Sequence, residues 1–548
     1  MLVPPTPTTP PRTLRSLWRK FRRLIIIWYV LLHLFHKEVS KTEGVSATAT
    51  VGSEGENSTE SFIASGIFVD LQKIQFKNMV SEKVALVWLR RDLRVHDNRA
   101  LNAAMKSGLR VVPVFVFDPE ILEKLPSRED RRVEFILRSL QRVEGEIGPI
   151  LCFYGKPKDA FKWILDGGLQ ADIMDGIDYL PGVLFFNEDY ETFALKRDSE
   201  VEETFRERGA EVFTFTDQVI FAPGDSRIRK ADGTPYTIYT PFAKRWREAY
   251  KTSAPKDRIT TGELRNKTAR KGKMAELLHD SPTLKLFGTT PEAEQIGFKS
   301  IESLGFEDDP KAMLESLRRI LPGYHLNRDL PAMESGTTKI GIHLRFGTIN
   351  IREAVKIGAE LNDTWLGELI WREFFMHIIK HFPYSEDAPF KRQYNFIPWR
   401  NEQSEIEAWM RGETGYPLVD AGMRELNETG HMHNRVRMVV ASFLTKHLLT
   451  DWRIGEAYFA EKLNDYELSS NVGNWQWAAG TGCDAAPYFR IFNPTEQAKK
   501  FDPANEYIRR WVPEAFGAQL IYPKPIVEHK YARERALAAY ASSKEGAI

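Results

Sequence analysis

The stretch Val84-Ala-Leu-Val-Trp-Leu-Arg-Arg-Asp-Leu-Arg94 decides the fold of the first half of the chain. Its residues 84–89 form a continuous apolar run, which is typical of a parallel strand buried on both faces. The polar residues from Arg90 onward are expected at the carboxyl end of this strand. Because no Gly-x-Gly-x-x-Gly pattern follows the strand, a conventional dinucleotide site is not indicated here.

Similar apolar runs recur at 110–117, 150–154, 182–186 and 212–215. Helical patterns, such as Arg131–Val143 and Thr192–Arg208, lie between them. Strands that alternate with helices predict an α/β fold with a doubly wound parallel sheet. Ligands of such sheets bind at the carboxyl ends of the strands, so we expect room there for a small chromophore.

The chain has 548 residues, which is too long for a single hydrophobic core. Beyond Ile301 the apolar residues follow helical spacing almost throughout, so the second domain is predicted to be all-α. The predicted organisation is an extension over 1–80 that is disordered or outside the working enzyme, an α/β domain over 81–220, a linker over 221–300 with one or two helices, an α-helical domain over 301–530 and a tail over 531–548.

Charge and cysteine content narrow the range of functions. The formal net charge is +1, so any contact with nucleic acid depends on a local basic face. The two cysteines, Cys152 and Cys483, are too few for a disulfide framework or a structural zinc site, and they fit a reducing, cytoplasmic location. The 13 tryptophans are consistent with a packed core, with stacking on planar ligands or with electron transfer.

The N-terminal extension differs in character from the rest of the chain. A basic stretch, Arg12–Arg23, precedes an apolar run, Leu24–Phe35, which is too short to span a bilayer comfortably. A signal peptide and an organelle transit peptide are alternatives for this segment. We favour a third interpretation, in which translation begins at Met79 and the core enzyme has no membrane contact.

Several segments of the second domain contain residues that are unusual for a plain helical core. Glu368 and Arg372 are four residues apart, which alone predicts a surface ion pair beside the core residue Trp371. His431 and His433 are two residues apart, a poor metal-binding spacing in a helix, so no metal site is expected. Each feature has an ordinary structural explanation, whereas their combination does not.

The motifs of this domain carry a resemblance to a known family. They are Trp371-Arg-Glu-Phe374, Thr414-Gly-Tyr-Pro417, Met432-His-Asn-Arg-Val-Arg-Met438, Trp475-Gln-Trp-Ala478 and Tyr488-Phe-Arg-Ile-Phe-Asn-Pro494. Together with Val87-Trp-Leu-Arg-Arg-Asp-Leu-Arg-Val-His-Asp-Asn98, they resemble the photolyase and cryptochrome family over about 82–540. Within this family the chain is most similar to class I photolyases of cyclobutane pyrimidine dimers.

The resemblance implies FAD, held in a U-shaped conformation inside the helical domain. The positions that match the family's FAD contacts are Tyr324, Thr337, Thr338, Lys339, Ile340, Gly341, Glu368, Arg372, Asn434, Arg437, Asp465, Glu467 and Asn471. The chain departs from the family at three positions, since Glu467 stands where Asp is usual, and Lys339 and Gly341 stand where Arg and Ser are common. Compared with the family, this chain also has one extra residue between Tyr324 and Thr337.

The resemblance further implies light-driven repair of cyclobutane pyrimidine dimers by electron transfer from excited, fully reduced flavin. The lesion must leave the duplex, as it does generally in photolyases, and it then needs flat apolar walls and a few polar groups. The implied catalytic residues are Glu368, Trp371, Asn434, Met438 and Trp477. The implied DNA contacts are Arg345, Trp371, Arg435, Met438, Trp477, Arg490 and Gln497, supported by Lys499.

Three tryptophans, Trp399, Trp452 and Trp475, match the family's electron-transfer chain, for which ordinary core packing is the alternative explanation.

The alternative functions are a (6-4) photolyase, a cryptochrome-type blue-light receptor and a nucleotide-binding regulator. The antenna chromophore stays open between folate, a deazaflavin and none. The expected partner is damaged single- or double-stranded DNA, approached by a monomer in the cytoplasm at the nucleoid, with organelle targeting as the alternative.

Overall fold

The computed structural model describes residues 81–169, 178–253, 277–517 and 522–545. In these ranges a seven-stranded sheet has the order β5-β4-β1-β2-β3-β7-β6. Its strands are β1 Ser81–Leu89, β2 Arg110–Phe117, β3 Leu151–Gly155, β4 Asp178–Asn187, β5 Glu211–Phe215, β6 Leu277–Asp280 and β7 Leu284–Phe287. Strands β1 to β5 pair in parallel, as predicted, while β7 is antiparallel to both β3 and β6. The expectations for residues 1–80 lie outside the described ranges.

Strand β1 lies in the middle of the sheet and is buried on both faces. Ala85, Val87 and Leu89 belong to the hydrophobic cluster on one face, and Val84, Leu86 and Trp88 belong to the cluster on the other. None of these side chains is more than 1% exposed. Helices therefore cover both faces, and the predicted doubly wound α/β fold is confirmed.

The helices of this half are α1 Arg99–Lys106, α2 Pro119–Leu122, α3 Arg131–Ile147, α4 Pro157–Trp163, α5 Thr192–Arg206 and α6 Tyr239–Thr252. Helix α6 extends the helix that the sequence predicts inside the linker. The linker also provides β6 and β7, which the sequence analysis missed because each strand has only four residues. An apolar run of that length carries too little periodicity to indicate a strand.

The second half is helical, as predicted. Its helices are α7 Pro310–Ile320, α8 Tyr324–Asn327, α9 Gly341–Phe346, α10 Ile351–Leu361, α11 Asp363–His381, α12 Gln403–Arg411, α13 Pro417–Thr429, α14 Asn434–Ser442, α15 Trp452–Lys462, α16 Leu468–Ala479, α17 Pro494–Phe501, α18 Glu506–Trp511 and α19 His529–Glu545. Helix α11 is central and contacts α6, α10 and α16. Asn362 caps it by accepting a hydrogen bond from the Trp365 amide at 3.0 Å.

The expected tail is instead the packed helix α19. Ala532, Ala536 and Tyr540 are at most 1% exposed, and the Tyr540 hydroxyl donates to the Ala479 carbonyl at 2.7 Å. The prediction missed this helix because its buried face consists mostly of small alanines, which give a weak apolar pattern. Within the described ranges, no helix combines the length and the apolar character that a bilayer crossing requires.

Candidate functional site

A cavity of about 100 Å³ lies between α14, α16 and the loop that precedes α16. Eight of the predicted site residues line it, namely Asn434, Arg437, Met438, Asp465, Glu467, Asn471, Trp475 and Trp477. They are brought together because α14 packs on α16 and because positions 434, 437, 438 and 441 fall on one helix face. We call this space the central cavity.

A second cavity, of about 380 Å³, adjoins the central cavity at Asp465, which lines both. Thr337, Lys339, His431 and His433 are among its walls, and we call it the lateral cavity. An ion pair separates the two spaces, since an Arg437 Nη atom lies 3.1 Å from Asp465 Oδ2. Arg437 is fixed further by its Nε, which donates to the Met432 carbonyl at 2.7 Å.

His433 supplies a hydrogen-bond donor to the lateral cavity, which the sequence analysis missed. Its Nδ1 accepts from the Arg435 amide at 3.2 Å and caps α14. Burial lowers the pKa of His433 to about 4, so the ring is neutral and its proton is on Nε2. This Nε2 is buried and has no hydrogen-bond partner among the described residues. Its role as the N-cap residue could have indicated this tautomer from the sequence.

The loop over 337–341 packs between α11 and Asp465. Thr338 Oγ1 accepts from Trp365 Nε1 at 3.3 Å, which ties the loop to α11. Lys339 has a φ of 50°, a left-handed conformation that costs a non-glycine residue about 1–2 kcal/mol. At Gly341 a Cβ atom would lie 2.6 Å from Asp465 Oδ2, so the serine common in the family does not fit here without a shift.

Glu368 and Arg372 do not form the surface ion pair that their spacing alone suggests. Arg372 points inward, where its Nη2 lies 2.9 Å from Glu467 Oε1 and its Nη1 donates to the Gln218 carbonyl at 2.7 Å. Burial raises the pKa of Glu467, but Arg372 and Arg91 outweigh it, and the net pKa is lowered. The carboxylate at the wall of the central cavity is therefore ionised.

Glu368 pairs instead with Arg328, a residue that the sequence analysis missed. Arg328 also lies over the ring of Tyr324, with its Cζ 5.3 Å from the ring centroid. Tyr324 is 8% exposed, and burial raises the pKa of its hydroxyl. The spacing of Tyr324 and Arg328, four residues apart, is the signal that would have placed them together.

Trp371 is stacked on Tyr239, another residue that the sequence analysis missed. The ring centroids are 3.6 Å apart and the ring planes differ by 6°. The Tyr239 hydroxyl donates to the Gly367 carbonyl at 2.8 Å, which holds the pair against α11. Trp371 is thus held rigidly, with one face covered by protein.

The predicted DNA contacts fall into two groups. Arg490 and Lys499 are exposed, whereas Gln497 and Arg435 are partly buried, and Arg435 pairs with Asp329 at 2.8 Å. The Arg345 side chain is 18% exposed and pairs with Glu191 at 3.1 Å, so a contact with a DNA phosphate would require this ion pair to open. Its role in DNA binding stays a prediction.

The three tryptophans of the proposed electron-transfer chain share one hydrophobic cluster. Trp452 and Trp475 are at most 2% exposed in its interior, and the partly buried Trp399 packs against its surface. Trp399 also meets Tyr540 edge to face, with ring centroids 6.0 Å apart. Core packing and electron transfer are both compatible with these positions.

The two cavities fit the FAD that the resemblance implies. A dinucleotide folded into a U needs two adjoining spaces, and the central and lateral cavities meet at Asp465. The lateral cavity offers the cation Lys339 and the unpartnered Nε2 donor of His433, both suited to phosphate or ribose oxygens. Of the remaining predicted contacts, Thr338, Ile340 and Gly341 belong to the loop over 337–341 that forms part of its wall. Tyr324, Glu368 and Arg372 do not line either cavity.

Two family models match the chain. The model described as DNA photolyase covers residues 85–259, and the model described as FAD binding domain of DNA photolyase covers residues 365–521. Among solved structures, an archaeal photolyase from Sulfolobus tokodaii with two FAD molecules is 30% identical with a TM-score of 0.67, covering 84% of this chain and 99% of that one. A cryptochrome from Synechocystis is 27% identical with a TM-score of 0.68, covering 83% and 99%.

Curated relatives match along most of the chain. The deoxyribodipyrimidine photo-lyase of Escherichia coli is 37% identical over 495 residues, which are 84% of this chain and 99% of the relative. The protein of the same name from Synechococcus is 34% identical over 491 residues, which are 83% of this chain and 96% of the relative. On these similarities, which span both halves of the fold, the chain belongs to the DNA photolyase family and is an FAD-dependent enzyme.

Proposed function

We propose that the protein uses light to repair cyclobutane pyrimidine dimers in DNA. The observation that carries this proposal is the central cavity, which Trp477, Met438 and Asn434 line together with the ionised Glu467, itself paired with Arg372 behind the wall. An apolar wall for a flipped-out base and charged groups for a flavin thus share one space. The name of the Escherichia coli relative, a deoxyribodipyrimidine photo-lyase, supports the same substrate.

When bound, fully reduced FAD supplies light-driven transfer of one electron, which is the chemistry needed to open the two cyclobutane bonds. The protein's own residues bind and orient the lesion. Trp477 offers its indole to the cavity, and Tyr239 backs Trp371 so that its indole does not rotate. Flat, rigid apolar surfaces of this kind exclude water and favour an unstacked base over the duplex.

Glu368 and Arg328 would each form different hydrogen bonds with the lesion. A carboxylate paired with a guanidinium only accepts hydrogen bonds, so Glu368 would take a ring N–H of the dimer. Arg328 keeps further N–H groups, which would donate to a carbonyl oxygen and stabilise negative charge there. In this proposal Arg328 contacts the dimer carbonyls, and Glu368 contacts a ring N–H.

We also propose that the enzyme acts as a monomer on DNA in the cytoplasm. The exposed Arg490 and Lys499 are available for contacts with DNA phosphates. The similarity to a cryptochrome reflects a shared fold, and no residue in the central cavity favours signalling over repair.

Light dependence tests the proposal. Purified protein, with its flavin reduced chemically, should restore pyrimidines from a dimer-containing oligonucleotide under blue light and not in darkness, as measured by chromatography of the product. Trp399→Phe is the matched control, because Trp399 lies outside the central cavity, and it should repair as well as the unaltered protein. Equal repair in darkness, or no repair with reduced flavin, would contradict the proposed function.

A further inference from the structure

A buried ionic network joins the carboxyl edge of the sheet to the central cavity. Arg91, two residues after β1, places its Nη1 3.0 Å from Asp189 Oδ1 and 3.0 Å from Glu191 Oε1. Its Nη2 contacts Glu467 Oε1 across the interface between the two halves of the fold. The Arg91 side chain is 9% exposed and that of Glu467 is 5% exposed, so water screens this contact little.

The backbone around Arg91 is fixed against the helical half. A Cβ atom at Gly347 would lie 2.1 Å from the Arg91 carbonyl oxygen, so only glycine allows this close approach. The Leu93 amide donates to the Phe346 carbonyl at 3.0 Å, and Arg91 Nε donates to the Arg345 carbonyl at 3.2 Å. The guanidinium of Arg91 is thereby held in one position.

Glu467 receives this guanidinium on the wall of the central cavity. Its Oε1 is shared between Arg91 and Arg372, while its Oε2 accepts from the Ser470 hydroxyl at 2.8 Å. The aspartate usual at this position is one carbon–carbon bond, about 1.5 Å, shorter. The longer glutamate therefore explains how one carboxylate can meet both guanidinium groups.

The charges of the network balance, with three carboxylates, Asp189, Glu191 and Glu467, against three guanidinium groups, Arg91, Arg345 and Arg372. Burial lowers the pKa of Arg91, but its three carboxylate neighbours outweigh this, and the net pKa is raised. Loss of Arg91 would leave Arg372 as the one remaining salt-bridge partner of Glu467 among the described residues, so the wall of the flavin cavity would become more negative.

We propose that Arg91 is a positioning residue of the flavin site, which acts through Glu467 to fix the charge that the central cavity presents to the flavin. This inference deepens the proposed function and rests on its flavin site. Through this contact the sheet sets how readily the bound flavin accepts electrons, although Arg91 itself does not line the cavity.

A double-mutant cycle tests the inference on the full chain, with the variants Arg91→Met, Glu467→Asp and both together. In darkness, the midpoint potential of the bound flavin and the dissociation constant of FAD are measured. Arg91→Met should lower the potential, because a more negative wall disfavours added electrons, and should weaken FAD binding about tenfold. Glu467→Asp should act in the same direction, and the double variant should add little to the larger single effect.

Two further variants separate positioning from general stability. Arg91→Lys keeps the positive charge and should return the potential toward that of the unaltered protein. If Arg91→Met does not fold, Glu467→Asp alone tests the contact, because it should also lower the potential. Arg352→Met removes another buried arginine, which lies away from the cavities and pairs with Asp97 at 2.8 Å and Asp217 at 2.9 Å. This variant should lower the stability of the protein and leave the flavin potential unchanged.

Additive effects in the cycle, or an unchanged potential in Arg91→Met, would overturn the inference. Repair is not a readout here, so a shifted potential in a protein that repairs nothing would contradict only the proposed function.

Discussion

Trp371 and Trp477 have different surroundings, although both match the family's lesion wall. Trp371 has one face covered by Tyr239 at 3.6 Å, whereas Trp477 lines the central cavity. A stacked base needs an uncovered indole face, and this requirement favours Trp477 as the main stacking surface. Trp371 then acts as a rigid side wall.

Trp477→Ala should weaken binding of dimer-containing DNA by about 1–3 kcal/mol, the usual scale for a lost base stack. FAD should stay bound, because the cavity keeps its charged residues. Anisotropy of a labelled oligonucleotide in darkness at fixed salt measures the affinity, and flavin absorbance measures the occupancy. Trp399→Phe is the control that should bind as the unaltered protein does. An unchanged affinity in Trp477→Ala would remove this residue from the lesion wall.

The buried Lys446 should make the free energy of unfolding depend on pH. It is 1% exposed, donates to the Tyr488 carbonyl at 3.0 Å and lies 4.3 Å from the ring centroid of Tyr540. Burial lowers its pKa from 10.5 to about 7. Between these pH values the unfolded chain binds more protons than the folded chain, so Lys446 makes the free energy of unfolding rise with pH.

Lys446→Met should remove this rise, and the stability it gains relative to the unaltered protein should be largest near pH 7 and smallest near pH 10. Urea unfolding across this range measures the slope. Lys356→Met, at a side chain that is 48% exposed, should keep the original slope. The same slope in Lys446→Met would mean that the buried lysine keeps an ordinary pKa.

At the scale of elements, the sequence predicted what repeats regularly and missed what is short or small. The runs that became β1 to β5 were recognisable because each is a nearly continuous apolar stretch, and the second half was recognisable because its apolar residues follow helical spacing. Strands β6 and β7 were too short to be recognised, and α19 was missed because it buries mostly alanine.

The candidate site was likewise predicted only in part. The family motifs placed the residues of the central cavity, and the spacing from Tyr324 could have added Arg328. The partners Arg91 and Tyr239 depend on contacts between distant segments that spacing does not reveal.

Helix α19 should be required for stability. Tyr540 is fully buried, stacks on Tyr488 with ring centroids 5.8 Å apart and meets Trp399 at 6.0 Å. Tyr540→Ala should lower the free energy of unfolding by about 3–5 kcal/mol, as other large aromatic truncations do. Tyr531→Ala on the same helix is the control, since Tyr531 is 59% exposed and its loss should cost less than about 0.5 kcal/mol. Equal effects in denaturant unfolding would contradict the packed position of α19.

At the scale of the molecule, buried polar contacts tie the two halves together. Glu373 of α11 accepts from the amides of Ile220 and Phe221, at 2.7 and 3.1 Å, and from Trp246 Nε1 at 2.8 Å. Burial raises the pKa of Glu373 to about 7. Arg94 and Arg352 both pair with the buried Asp217. The segment that follows β5 is therefore fastened to the helical half, and residues 78–548 form one unit.

The position of β1 is relevant to the prediction that translation begins at Met79. Strand β1 begins at Ser81 and is paired on both sides, with β2 and β4. The Escherichia coli relative matches over 99% of its own length while covering 84% of this chain. The matched DNA photolyase family model begins at residue 85, after Met79.

A protein shortened to begin at Met79 should therefore fold, bind FAD and repair dimers as well as the full chain does. The apolar run Leu24–Phe35 would promote association if exposed, so its removal should also raise the soluble yield. Yield, flavin occupancy and repair rate under blue light are compared for the two lengths. Because the sheet and both cavities are built from later residues, only the yield should change. Loss of flavin or precipitation of the shortened protein would show that the extension stabilises the fold, and the proposed start would be wrong.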